Sequence, residues 1–208
     1  AYQFYARFHD LRDLTPSELS RWRRYQVAFV YKMSVIARNK TLLIKSPSHT
    51  ARVRWLLELF PQAKFNHVTR DPGPVMRSNI ALLQLVQRLY NVSDPLPPET
   101  IESTLVREYL ATEQSYLEAR TSIPRGQIAE VRFQDLLADP VGEIHRVYRE
   151  LALPLSERFE ERLADYLASV QTYSPNVHPD WTEKKNGTLS SQVAPLVSAF
   201  AHDRPAIP

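Results

Sequence analysis

The sequence predicts an α/β protein with a short parallel sheet flanked by helices. Short apolar, β-branched runs at 42–44, 64–69 and 127–133 alternate with segments of helical period. Strands separated in this way pair in parallel through crossover connections. The runs also end alike. The first stops on Lys45-Ser46-Pro47 and the second on Arg70-Asp71-Pro72, so a cation stands at each tip where proline forbids the strand to continue.

The elements follow in order. Thr15-Pro16-Ser17-Glu18 combines an N-cap, proline at the first helical position and an acid at the third. The helix it opens should run to about Ala37 with Leu19, Trp22, Val27, Phe29 or Val30, and Met33 turned inward. Strand 42–44 leads to a helix over 50–59 whose apolar side is Val53, Leu56, Leu57 and Phe60. Strand 64–69 precedes a helix from about Gly73 to Tyr90, and Ser93-Asp94-Pro95-Leu96-Pro97-Pro98 can only be a loop. A helix over 99–120, a strand over 127–133 and helices over 139–151 and 156–170 continue the alternation, before an irregular segment from 171 to 208. The whole is expected to form a single domain. In such sheets ligands sit at the carboxyl ends of the strands, where Lys45, Arg70 and Phe133 would converge.

Composition narrows the chemistry. A net charge of +3 favours anionic ligands only weakly and does not make a nucleic-acid binder. No apolar run approaches the roughly 20 residues of a membrane span. Without a leader or a span the expected compartment is the cytoplasm, although sequons at Asn39, Asn91 and Asn186 leave a secretory lumen open. The absence of cysteine excludes disulfides, thiolate catalysis and cysteine metal sites. His9, His49, His67, His145, His178 and His202 show no metal-ligand spacing, so no metal is expected. Arg21-Trp22-Arg23-Arg24-Tyr25 mixes basic and aromatic residues, but helical spacing makes Trp22 core with the arginines on the wet face.

The two strand tips carry the chemistry. Lys45 is presented for an anion, and the neutral imidazole of His49 can take a proton from an acceptor hydroxyl near pH 7. The same residues also read as a surface turn with a helix N-cap at Ser48. A guanidinium at Arg70 can grip phosphate bidentately, Ser78 can add a hydrogen bond, and the helix N-terminus near Gly73 adds positive potential. The competing account makes Asp71 a helix cap and Arg70 its ion-pair partner. Lys184-Lys185-Asn186-Gly187 reads by itself as a solvated basic turn. Glu99, Glu102 and Glu113 share a helix and are expected to face solvent, though one could orient a substrate. Glycine is sparse: Gly73, Gly126, Gly142 and Gly187 are scattered, so no loop cradles phosphate with successive backbone N–H groups.

The stretches LLIKSPSHTAR, LFPQAKFNHVTRDPGPVMRS and VRFQDLLADPVGEIHRVYREL, in that order, resemble the sulfotransferases that use 3′-phosphoadenylyl sulfate (PAPS), over about residues 1–170. The resemblance is to the broad, bacterial-type family. It implies a P-loop-type three-layer fold and sulfuryl transfer from PAPS, without a metal, to a hydroxyl or amine on a carbohydrate, lipid or small molecule. It implies that Lys45 contacts the bridging region of the donor and that Arg70 and Ser78 bind its 3′-phosphate. By the same likeness Phe133 lies near the adenine, and Lys185 matches loosely a loop that closes over the 3′-phosphate. The family's Gly- and Arg-containing 5′-phosphosulfate loop has no counterpart, so the chain, opening at Ala1-Tyr2-Gln3-Phe4, is expected to lack an N-terminal part. Some members place a catalytic His two residues after the Lys. Here Pro47 holds that place, leaving the base open between His49 and an upstream carboxylate. A nucleotide kinase on the same fold and a non-catalytic nucleotide-binding relative are the alternatives. The lack of G-x-x-x-x-G-K-[ST] and of a metal-binding acid at a strand end weighs against the kinase.

Overall fold

Thr15 opens the first helix, α1 (Pro16–Ile36), with the capping box its sequence announces. Its hydroxyl accepts the Glu18 N–H at 3.3 Å, and the Glu18 carboxylate accepts the Thr15 N–H at 2.8 Å. These bonds satisfy donors that a helix start otherwise leaves orphaned. The computed structural model describes residues 7–38, 40–90, 95–172 and 191–192. The described helices and strands lie in two units, Ala1–Ala63 with Glu108–Ile123, and Lys64–Arg107 with Pro124–Pro208.

The first unit is helical. After α1 comes a 3₁₀ turn, Pro47–Arg52, continuing into α2 (Val53–Leu59). Its core is Leu11, Ala51, Val53, Leu56, Tyr116, Ala119 and Ile123, the last three supplied by the end of the helix that closes at Arg120 and the turn after it. Leu19, Trp22, Val30 and Met33 form the half-buried stripe of α1. Val27 and Phe29 are exposed, so of the alternatives Phe29 and Val30 it is Val30 that turns inward. The expected strand at 42–44 is not formed. Residues 40–46 run without a ladder, and Leu43 is 98% exposed, because no strand among the described residues pairs with them.

The second unit holds the sheet. β1 (Phe65–Thr69) and β2 (Ile128–Arg132) pair in parallel, Phe65 opposite Ile128 and Thr69 opposite Arg132. α3 (Pro72–Tyr90) follows β1, and α4 (Pro98–Arg120) begins in this unit and ends in the first. α5 (Phe133–Ala138), α6 (Pro140–Glu150) and α7 (Glu157–Ser169) follow β2. Ala129 and Val131, alternate residues on one face of β2, pack with Val147 and Leu151 of α6. Arg146 ties the layers together, donating to the Glu130 carbonyl at 2.7 Å and to Glu143 and Glu150 at 2.7 Å each. Lys64, just ahead of β1, donates to the carbonyls of Leu151 and Ala152 where α6 ends. At the other end of α6 the Asp139 carboxylate accepts the Gly142 N–H at 2.9 Å. A Cβ on Gly142 would meet that carboxylate at 2.0 Å, so glycine is what lets this cap close. Among the described residues no helix is long and apolar enough to cross a membrane.

Candidate active site

Register places two of the sequence-predicted residues side by side. β1 ends at Thr69 and β2 at Arg132, which are partners, so Arg70 and Phe133 each stand one residue beyond the carboxyl end of adjacent parallel strands. The guanidinium carbon of Arg70 lies 4.5 Å from the centroid of the Phe133 ring, within the range of a cation–π contact. Phe133 is the first residue of α5 rather than the last of a strand. Arg132, its N-cap, is fastened to Asp135 by two hydrogen bonds of 2.8 and 3.0 Å.

Asp71 bears out half of the competing account of this tip. Its carboxylate accepts the Gly73 N–H at 2.8 Å and caps α3. Among the described residues no carboxylate pairs with Arg70. The guanidinium is therefore exposed and available, beside a helix start whose partial positive charge favours anions. Ser78 lies farther along α3 with its side chain exposed. A cation on an aromatic platform, a helix N-terminus and a hydroxyl are suited to a phosphate or sulfate group.

Lys45 and His49 belong to the first unit. Lys45 is exposed in the extended stretch before the 3₁₀ turn, whose N-cap is Ser46, not Ser48. His49 is half-buried, its backbone N–H donating to the Ser46 carbonyl at 3.0 Å and its Nδ1 buried without a hydrogen-bond partner among the described residues. Burial, and secondarily the charge of Arg52, pushes the imidazole pKa below its ordinary value of 6.5. Arg52 is itself anchored, donating to the carbonyls of Phe8 and His9, while the Trp55 indole donates to the Asp10 carbonyl at 3.1 Å. The 3₁₀ turn that carries His49 is thus stitched to the chain's 8–10 segment.

Glu113 departs from expectation. It does not face solvent: burial in α4 raises its carboxyl pKa to about 7. It lies three residues before Tyr116, which is 1% exposed, on the same inner stripe of the helix. That spacing was visible in the sequence. Glu99 is exposed, as expected, and Glu102 is half-buried. Lys185 lies outside the described residues.

Residues 2–157 match the Sulfotransferase family. The chain belongs to the sulfotransferase family. It is 31% identical over 200 residues to the omega-hydroxy-beta-dihydromenaquinone-9 sulfotransferase Stf3 of Mycobacterium tuberculosis, and equally to that of Mycobacterium bovis. These matches take in 96% of this chain and 51% of each relative, so the chain spans about half the length of the curated relatives it matches. Among solved structures, sulfotransferase STF9 from Mycobacterium avium superposes with a TM-score of 0.67 at 22% identity, over 78% of this chain and 42% of that one. STF1 from Mycobacterium tuberculosis gives 0.59 at 18% identity, over 78% and 41%. The α/β fold expected from the strand–helix alternation is therefore the fold of this family.

Proposed function

We propose that this chain carries the nucleotide-gripping part of a PAPS-dependent sulfotransferase. The observation that carries the reading is the placement of Arg70 and Phe133 beyond register-matched strand ends, beside the capped start of α3. Arg70 and Ser78 hold the 3′-phosphate. By the family likeness, Lys45 is the residue that contacts the bridging region of the donor. In the reaction the acceptor oxygen attacks sulfur in line, the sulfur–oxygen bond to the 5′-phosphate breaks, and adenosine 3′,5′-bisphosphate leaves with the bonding pair. The ammonium of Lys45 offsets the charge that grows on the departing oxygen, and positioning and electrostatics supply most of the rate.

The acceptor's proton needs a base. His49 is the first candidate, because its depressed pKa keeps it neutral at pH 7. Glu113 is the second, because a carboxyl titrating at about 7 is poised to exchange a proton at neutral pH. The Stf3 relatives act on a hydroxylated menaquinone; by that likeness we propose a hydroxyl group on an apolar lipid as the acceptor here. Titration with adenosine 3′,5′-bisphosphate against ATP·Mg²⁺ tests the donor. Tight binding of the bisphosphate alone supports the reading, and preference for ATP·Mg²⁺ replaces it with a kinase. Sulfate transfer from labelled PAPS to a long-chain alcohol, but not to a sugar, tests the acceptor class.

A further inference from the structure

We propose that Phe133 serves Arg70 rather than the adenine: its ring is a platform that fixes the guanidinium in the orientation that receives the 3′-phosphate. This rests on the assignment of Arg70 to that phosphate. The distance of 4.5 Å from guanidinium carbon to ring centroid places the cation over one face of the ring, so a purine could use only the opposite face. Phenylalanine has no hydroxyl or amide with which to read a base edge. Its position is rigid for structural reasons, since it is the first residue of α5 and follows an N-cap held to Asp135 at 2.8 and 3.0 Å. Arg70 has no carboxylate partner among the described residues, so the ring is what narrows its rotamers before the ligand arrives. A preorganised guanidinium loses less entropy when it binds in a bidentate mode.

A platform for Arg70 and a contact to adenine are separable by a ligand that keeps the base and lacks the 3′-phosphate. Affinities for adenosine 3′,5′-bisphosphate and adenosine 5′-monophosphate are measured by calorimetry in the wild type, Phe133→Leu, Phe133→Tyr and Arg70→Ala, with folding checked by circular dichroism. The expected result is that Phe133→Leu weakens the bisphosphate about fivefold, as loss of one exposed cation–π contact implies, and leaves the monophosphate unchanged. Phe133→Tyr restores the wild-type ratio, and Phe133→Leu has no further effect in an Arg70→Ala background. Should the leucine variant fail to fold, Phe133→Met removes the π face at similar volume. Equal weakening of both nucleotides, or of neither, overturns the proposal. A wild-type ratio in Arg70→Ala instead overturns the assignment of Arg70 on which it rests.

Discussion

Asp71 accepts the backbone N–H of Gly73 at 2.8 Å, and so the carboxylate adjacent to Arg70 in sequence is committed to the first turn of α3 and not to the guanidinium. A capped helix start and a cation with no carboxylate partner among the described residues occupy one strand tip without neutralising each other. If the tip grips an anion as proposed, the grip depends on Arg70 itself. Arg70→Ala should weaken adenosine 3′,5′-bisphosphate binding by roughly 1.5–3 kcal/mol, the worth of a charge-assisted bidentate contact. Ser78→Ala should cost about half of that. Calorimetry on folded variants checks both values, and an unchanged affinity in Arg70→Ala removes the residue from the site.

Lys45 should separate catalysis from binding. Its charge is needed most while the sulfur–oxygen bond is breaking, so Lys45→Ala should lower kcat by far more than it weakens the donor. Steady-state rates at saturating PAPS, set beside direct donor titration, measure the split. Parallel losses in both would make Lys45 a simple ground-state contact.

The pH–rate profile distinguishes the two candidate bases. A base must be unprotonated, so the rate falls as pH drops through its pKa. With His49 in that role the acidic limb inflects below 6.5, since burial lowers its pKa, and His49→Ala removes the limb. With Glu113 the limb inflects at about 7 and disappears in Glu113→Gln. A limb that survives both substitutions assigns the proton to another group.

Glu113 should also leave a mark on stability. Its pKa is raised from 4.5 to about 7 on folding, so the native state holds a proton that the unfolded chain has released between those values. Its contribution is full below about pH 4.5 and is lost as pH rises through 7. Glu113→Gln should therefore gain on the wild type by on the order of 2 kcal/mol between pH 5 and pH 8. His49 acts in the opposite sense, because its lowered pKa costs stability as pH falls below 6.5. The difference between the variant and the wild type isolates the Glu113 part. Melting curves at pH 5, 6.5 and 8 measure it, and a constant difference would show that the carboxyl titrates normally.

The strand–helix alternation and the capping box were legible because each rests on short-range pattern: Thr15 and Glu18 sit three apart, and β1 and β2 are apolar runs closed by turn residues. Leu42–Ile44 has the same local signature, yet forms no strand among the described residues, since a ladder needs a partner that local pattern does not specify. Arg70 was legible as a cation at a strand tip from its place before Asp71-Pro72. Its stacking on Phe133 was not, because register between distant strands is a tertiary fact. Glu113 was misjudged because a carboxylate is ordinarily a solvent residue, although its spacing from Tyr116 placed it on the inner stripe.

On the proposed reading, the parallel ladder also dictates when this protein can first bind its nucleotide. The Thr69 hydroxyl meets the Val131 carbonyl across 62 positions of sequence, so Arg70 and Phe133 come together only after a long loop has closed. Contacts of that separation form late and slowly, because the closure entropy precedes any reward. A nascent or partly folded chain can have α1 and α3 in place and still offer no nucleotide site. Nucleotide, binding only the closed form, then acts as a latch: at one hundred times its dissociation constant it adds about 2.7 kcal/mol to the completed fold. Protection from proteolysis by adenosine 3′,5′-bisphosphate would thus report the last stage of folding rather than the first.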